Sequence, residues 1–238
     1  MLLEISQART NKLTPTDILK NYRSNRFAAP SLIDPARLYQ LAVDITRKAK
    51  ENGIEPVLLS PVAPLGSCSV FGCVDQNYVV SATRGCEVLS DTSNMLAIYL
   101  ADKISSGEIG NKNSIHVCSI DRLTRAQVFK GARSFAHFGI FCIVSSGKDT
   151  GSYSCEMGLL TKQLSFYREF FKAGYEADMA VVLRKRGGYT GADGFFAKML
   201  HLMQQQLPDV PVRTDDSDMR NNYYQGINNN YYQGINKV

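Results

Sequence analysis

Apolar residues recur every three or four positions in four segments of the chain, which predicts amphipathic helices. The clearest begins at Asp34, a good N-cap residue, followed by Pro35 at the first helical position, and it ends at Gly53. A second predicted helix starts near Asp91, and a third runs from about Tyr153 to Ala173. A fourth contains Phe195 to Met203 and ends before Pro208.

Short runs of β-branched, aromatic and other apolar residues bounded by glycine or proline predict strands. Besides the central segment described next, these runs are Pro56–Ser60, Ser67–Val74, Tyr78–Ala82, Met179–Leu183 and a last region beginning at Val210. Helices mixed with strands that are partly joined as hairpins indicate an α+β fold. We expect a mostly antiparallel sheet flanked by helices, not a doubly wound parallel sheet.

The segment from Ile115 to Val144 predicts two buried strands joined by a cationic loop. Gly131 allows a turn in that loop. Arginine can bond two oxygens of a phosphate or carboxylate at once, so the hairpin suits anion recognition. The alternative is a solvated basic hairpin, which the spacing alone slightly favours. The cationic residues are Arg122, Arg125, Lys130 and Arg133.

The pattern divides the chain into three parts. Residues 1–30 are predicted to form an arm with one short helix capped by Thr14, and residues 31–228 are predicted to form the folded core. The sequence NNYYQGIN at 221–228 is repeated letter for letter at 229–236, so residues 229–238 are expected to form a disordered tail.

Composition narrows the functional classes. The chain has 238 residues, 44% hydrophobic and 21% charged, which fits one large or two small globular domains. A net charge of +5 permits a polyanionic partner, but no dense basic stripe supports nucleic-acid binding. No glycine-rich dinucleotide or Walker A fingerprint is present.

Targeting and cysteine signals predict a cytoplasmic protein. The N-terminus lacks a signal-peptide pattern, and no apolar run approaches the roughly 20 residues of a membrane span. The six cysteines form no dense framework, which favours free thiols in a reducing compartment. Cys68 and Cys73 have no second Cys/His pair at zinc spacing, so no metal site is predicted from the residues.

The central hairpin resembles the second signature motif of class II aminoacyl-tRNA synthetases, most nearly the histidyl-tRNA synthetase branch and its paralogs. Arg125-Ala126-Gln127 stands at the arginine end and Phe138 at the aromatic end; Arg122 with Phe135 is a second possible register. The resemblance implies that the arginine holds the α-phosphate of ATP and the aromatic ring stacks on adenine. Gln127 stands where the family has glutamate.

Two further segments carry the resemblance. Asp149–Leu160 is similar to the stretch after the second motif, which implies that Glu156 helps to hold magnesium; a surface acid in a first helical turn is the alternative. Thr83–Ala97 is similar to an element that grips the substrate amino acid, which implies roles for Arg84 and Glu87. Here the alternative is an ordinary capped turn from strand to helix.

A fourth segment, beginning at Arg220, resembles the Arg-Gly-Leu-Asp-Tyr-Tyr-Thr-Gly element of the histidyl enzymes. It implies that Tyr223, Tyr224 and Gly226 line the amino-acid pocket, although tyrosine pairs in strands are also common core residues. The family's third motif is expected after this element and does not follow it. No anticodon-binding domain is seen.

The resemblance implies a class II synthetase-like core that binds ATP, magnesium and an amino acid or other carboxylic acid, and that forms a homodimer. Such a core could form an acyl-adenylate, with Arg125 and Gln127 as its catalytic candidates. The alternative is a non-catalytic paralog that acts as a regulatory or interaction subunit, like the regulatory subunit of ATP phosphoribosyltransferase. The sequence identifies neither the acid nor any tRNA partner, and it predicts no association with a membrane.

Overall fold

The computed structural model describes residues 2–72, 74–109, 113–128, 135–184 and 192–215. The described α-helices are α1 (Leu2–Thr10), α2 (Pro15–Ser24), α3 (Pro35–Glu51), α4 (Thr92–Ser105), α5 (Ser154–Tyr175) and α6 (Ala192–Gln206). The described strands are β1 (Glu55–Pro56), β2 (Val62–Pro64), β3 (Cys86–Val88), β4 (Ser114–Thr124), β5 (His137–Gly147), β6 (Val181–Arg184) and β7 (Val212–Asp215).

The helices α2 and α3 begin where the sequence places capping residues. The Thr14 hydroxyl accepts from the backbone N–H of Asp17, whose side chain accepts from the Thr14 N–H in return, so a capping box begins α2. The Asp34 carboxylate accepts from the N–H of Ala36 at the start of α3. Gly53, at a φ of +67°, follows the end of α3, as a C-terminal glycine should.

The sheets are small and mixed. The first has the order β1-β4-β5, with β1 parallel to β4; β2 pairs antiparallel with β3, and β6 pairs parallel with β7. Backbone hydrogen bonds join Arg125 to Ala136 at one end of the β4–β5 ribbon and Lys148 to Asn113 at the other, so these strands run antiparallel.

The α+β prediction is confirmed, but the predicted predominance of antiparallel pairing is not. Parallel pairing arises where a helix connects two strands, as α6 does between β6 and β7. The sequence pattern shows that a helix intervenes, but it does not show which strands become neighbours.

The predicted strand at Ser67–Val74 was wrong, and the one at Tyr78–Ala82 is reduced to a single antiparallel bridge between Ser81 and Glu87 of β3. A π-helical turn occupies Ser67–Phe71 and a 3-10 turn occupies Gln76–Tyr78. In this region the backbone N–H groups of Gly66 and Cys68 donate to the Glu87 carboxylate instead of to a neighbouring strand. The predicted strand at Pro56–Ser60 is also displaced, because β1 ends at Pro56 and β2 begins at Val62.

The chain divides into two compact units. The first contains residues 1–42, 57–98 and 119–142. Its core cluster consists of Ala63, Leu89 and Leu123, with partly buried apolar side chains from Leu59, Met95, Phe138 and Ile140 packed against it. The unit therefore places the C-terminal half of β4 and the start of β5 next to the start of α4.

The predicted N-terminal arm belongs to this first unit and contacts its own chain. The Arg26 guanidinium donates to the carbonyl of Ala126, just after β4, and lies over the Phe27 ring. The carbonyl of Ala29 accepts from the His137 ring at the start of β5. The arm is thus tied to both ends of the connection between β4 and β5.

The second unit contains residues 43–56, 99–118 and 143–238. Its core cluster is formed mainly by α6 and the segments around it, with Met199 and Met203 fully buried among Leu183, Leu207 and Val210. Among the described residues, none of the helices is both long and apolar enough to cross a membrane.

Candidate functional site

Alternation along β4 separates two sets of polar side chains in the first unit. Leu123 is fully buried in the core cluster, and Asp121 and Arg125 share its side of the strand. Arg122 and Thr124 point to the other side, where both line a cavity. The two arginines predicted for ATP binding therefore lie on opposite faces of the ribbon.

Arg125 is held from three directions at the end of β4. Its backbone N–H donates to the Ala136 carbonyl, and its Nε donates to the Ser90 carbonyl at 3.1 Å. Its Nη2 lies 3.5 Å from Asp91 Oδ2. Because both members of this pair are only partly exposed, the guanidinium is fixed in one orientation while part of it still reaches solvent.

The Phe138 ring completes this arrangement from the neighbouring strand. The Arg125 guanidinium carbon lies 5.2 Å from the ring centroid, within the range of a cation–π contact. Arg125 and Phe138, predicted as phosphate and adenine contacts, are thus brought together on one face. A planar cation next to an aromatic ring can contact an anionic group and a stacked base at the same time.

Asp91 serves mainly as the N-cap of α4. Its Oδ1 accepts from the N–H of Ser93 at 2.8 Å and also from the Ser93 hydroxyl. With Oδ2 directed at Arg125, both oxygens of this carboxylate already have partners.

The opposite face of the ribbon has its own polar contacts. Arg122 Nη2 lies 2.7 Å from His137 Nδ1, and His137 Nε2 lies 2.6 Å from the Ala29 carbonyl. Because an arginine can only donate, His137 accepts at Nδ1 and donates from Nε2. The adjoining cavity of about 520 Å³ is lined by Arg122, Thr124, His137 and residues of the segment from Phe27 to Tyr39.

Glu87, predicted as a substrate contact, is fully buried and acts on its own chain. Its carboxylate accepts from the N–H groups of Gly66 and Cys68 and from the Gln76 amide, at 2.9 to 3.0 Å. Burial alone would raise the pKa of Glu87, but these hydrogen bonds outweigh burial and lower it. The structure therefore gives Glu87 a definite role in holding the loop before β3.

Three predicted site residues remain within the described part of the chain, namely Arg84, Gln127 and Glu156. Arg84 is exposed in a tight turn before β3, at a positive φ of 68°. Gln127 is half-buried two residues after Arg125. Glu156 belongs to the second unit, exposed in the first turn of α5, where the helix N-terminus favours a carboxylate. Tyr223, Tyr224 and Gly226, like Lys130 and Arg133, lie outside the described residues.

The fold of this chain is similar to that of class II synthetase cores. A putative threonyl-tRNA synthetase from Aeropyrum pernix superposes with a TM-score of 0.56 at 10% identity, over 75% of this chain and 43% of that one. A histidyl-tRNA synthetase from a Nostoc species has a TM-score of 0.48 at 18% identity, over 65% of this chain and 32% of that one.

An ATP phosphoribosyltransferase regulatory subunit/histidyl-tRNA synthetase from Bacillus halodurans has a TM-score of 0.43 at 12% identity, over 59% of this chain and 36% of that one. This chain therefore spans less than half the length of each of these three proteins. No protein-family model matches the chain, and neither does any curated protein sequence. At these identities the likeness shows the fold alone.

The structure also reveals polar residues that the sequence analysis did not select. Ser119 and Asp121 lie on the Arg125 side of β4, and Thr92 begins α4. Burial raises the pKa of Cys142 on β5 to about 11, and the charges of Asp91 and Asp121 contribute to this shift. The only sequence signal was the alternation of Ser119, Asp121 and Leu123 along a strand.

Magnesium finds no ready set of protein ligands here. In the part of the chain that the structure describes, no three histidine, cysteine, aspartate or glutamate side chains gather as a metal site. Magnesium is commonly held by one or two carboxylates together with substrate phosphates, so a three-ligand protein site is not required. We assign no residue to the ion.

Proposed function

We propose that this chain binds ATP and a carboxylic acid on the Arg125 face of the β4–β5 ribbon. The observation that carries the proposal is the fixed pairing of the Arg125 guanidinium with the Phe138 ring at the end of two core strands. A phosphate would contact Arg125, and the base would stack on Phe138. The likeness of the fold to class II synthetase cores agrees with this placement of a phosphate on Arg125 and a base on Phe138, which the sequence resemblance also implies.

The chemistry proposed for this site is attack of a carboxylate on the α-phosphate of ATP, with release of pyrophosphate. Negative charge grows on the phosphate oxygens in the transition state, and a guanidinium that is already oriented stabilises that charge without reorganising. Arg125 would supply this cation, and no nucleophilic side chain is required. Magnesium would enter with the nucleotide and neutralise its phosphates.

A second function is favoured by the same contacts. Arg125 already donates a hydrogen bond to the Ser90 carbonyl and forms an ion pair with Asp91, so its charge is partly neutralised within the fold. Gln127, which stands where the family has glutamate, removes one acid from the site. A non-catalytic paralog that binds one ligand and acts as a regulatory or interaction subunit would fit both observations.

Calorimetric titration with ATP and magnesium, alone and with each standard amino acid, tests the proposal. We expect saturable ATP binding that one carboxylic ligand strengthens. Exchange of labelled pyrophosphate into ATP then distinguishes the two functions, because only an adenylate-forming enzyme catalyses it. Binding of an amino acid without any ATP binding would contradict the enzymatic function and favour the regulatory one.

The exposed apolar side chains before and within the start of α3 favour a homodimer. Leu32 is 90% exposed, Ile33 is 54% exposed and Tyr39 is 69% exposed, and all three belong to the first unit. Contiguous exposed apolar side chains commonly mark an interaction surface. Light scattering after size exclusion should give twice the chain mass, and Tyr39→Asp should shift it toward the monomer; a monomeric wild type would contradict the proposal.

A further inference from the structure

A cavity of about 520 Å³ lies on the Arg122 side of the β4–β5 ribbon, on the opposite face from the Arg125–Phe138 pair. Its volume falls within the range of pockets that hold small organic ligands, roughly 300–1,000 Å³. Its walls are the segment before α3, the first turns of α3 and the outer face of the ribbon. The first unit therefore contains the whole of this cavity.

The walls of the cavity are mainly apolar and carry one permanent charge, that of Arg122. Among the described residues, no aspartate or glutamate lines the cavity, and neither does another arginine or a lysine. Apolar walls with a few placed polar groups are the usual form of a small-molecule site. The aromatic and larger aliphatic side chains of the walls are those of Phe27, Ile33, Leu38 and Tyr39.

The Arg122 guanidinium is oriented by its contacts without being neutralised. Its Nη2 donates to His137 Nδ1 at 2.7 Å, and His137 Nε2 donates to the Ala29 carbonyl at 2.6 Å. The imidazole that fixes the guanidinium carries no negative charge. Arg122 is exposed, and no carboxylate of a described residue lies within ion-pair distance of it. The rest of its planar fork can donate to a ligand.

The acids nearest to this cavity face elsewhere. Asp121 precedes Arg122 along β4, so alternation along the strand directs its side chain to the opposite face. Asp34 caps α3 by accepting from the Ala36 N–H at 3.0 Å, and its Oδ2 lies 3.8 Å from Arg37 Nε. The charge of Arg122 therefore remains for an anion that enters the cavity.

We infer that this cavity binds a small monocarboxylate with an aromatic or aliphatic body. The planar guanidinium can bond both oxygens of one carboxylate, while the apolar walls cover the body of the ligand. One lining cation balances one negative charge, so the cavity does not match ATP, whose triphosphate carries several. This site is separate from the one proposed for ATP and does not depend on that proposal.

A second copy of the chain is the other occupant to consider, because Ile33 and Tyr39 also belong to the surface proposed for dimer contact. Apolar side chains from a second copy would cover Arg122 without offering its guanidinium an acceptor. Burial of an unpaired charge is costly. A carboxylate ligand supplies the acceptor, so we assign the cavity to a ligand.

Two ligands that differ in charge but not in their ring system test this inference. They are 2-naphthoate and its neutral amide, 2-naphthamide, each titrated against the protein by ligand-observed NMR. In the wild type we expect the carboxylate to bind about fivefold tighter than the amide, near the upper end for an ion pair that water can reach.

Arg122→Ala should remove the preference for the carboxylate. Arg122→Lys keeps the charge without the planar fork and should retain only part of the preference. Arg47→Ala is the matched control, because Arg47 is an exposed arginine of α3 in the second unit, and it should behave as the wild type does.

The titration of the wild type is repeated with ATP and magnesium present, and the affinity for naphthoate should not change. Competition by ATP would overturn the inference, as would equal binding of the two naphthalene ligands, no binding of either, or a preference that survives in Arg122→Ala. Naphthoate affinity that rises as the protein is diluted would show that a second copy occupies the cavity, and would also overturn it. A wild type that binds naphthoate but no ATP would refute the proposed function and leave this inference standing.

Discussion

The Arg125 guanidinium is positioned by a carbonyl, a carboxylate and an aromatic ring, and the proposed ligand would have to compete with these groups. A phosphate can replace the Asp91 contact readily, because that pair is separated by 3.5 Å and is partly exposed. The Ser90 hydrogen bond, made by Nε, leaves the outer nitrogens of the fork able to donate. The site is thus oriented before a ligand arrives.

Phe138→Leu should separate base stacking from phosphate binding. Loss of the aromatic face should weaken ATP binding by about 0.5–1.5 kcal/mol, up to roughly tenfold. It should weaken inorganic pyrophosphate binding less, because the Ser90 carbonyl and Asp91 still hold the guanidinium. Calorimetry with both ligands measures this, with Phe171→Leu in the second unit as the control. Equal weakening of both ligands would argue against stacking on Phe138.

Glu87→Gln should destabilise the protein, because one amide hydrogen-bond donor would then face another. Denaturant unfolding should show a loss of about 1–3 kcal/mol at neutral pH. The folded-state pKa of Glu87 is lowered from 4.5, so its contribution to stability is present above that value and is lost as the pH falls through the lowered pKa.

The difference between Glu87→Gln and the wild type should therefore shrink in acid. Glu55→Gln, at an exposed carboxylate in β1, is the control and should change stability little. A difference that stays constant from neutral to acidic pH would contradict the assigned role of the ionised carboxylate.

At the level of elements, the sequence predicted the features that depend only on residues close together in the chain, such as helix ends. The helix at α3 was predicted with its cap and its terminal glycine, because capping is local chemistry. The segment 67–74 was mistaken for a strand, because Val70 and Phe71 gave an apolar run although both are exposed. A contact with Glu87, distant in sequence, decides that loop, and no local pattern contains that information.

Met203→Ala tests the packing of α6, where Met203 is fully buried in the second core cluster. Removing most of its side chain should lower the free energy of unfolding by about 2–5 kcal/mol. Gln204→Ala, at an exposed position of the same helix, should change it by less than about 0.5 kcal/mol. Urea denaturation of both variants compares them directly, and equal effects would mean that α6 does not pack as described.

At the level of the whole molecule, the sequence resemblance and the fold agree on a class II synthetase-like core, and neither establishes an activity. The resemblance offered two arginine registers, and the structure distinguishes them by face: Arg125 lies with Phe138, and Arg122 lies with His137. The buried polar group around Asp121 could not be found from sequence, because it depends on α4 meeting β4.

The comparison of Arg125→Ala with Arg122→Ala in a titration with ATP and magnesium tests the central claim most directly. Each variant removes one arginine, from β4 or from the residue that directly follows it, so both change the net charge equally and differ in the face they alter. We predict that Arg125→Ala weakens ATP binding about tenfold or more, as for loss of a charged hydrogen bond, and that Arg122→Ala leaves it unchanged. Equal affinities in the two variants, or a loss confined to Arg122→Ala, would contradict the site described here.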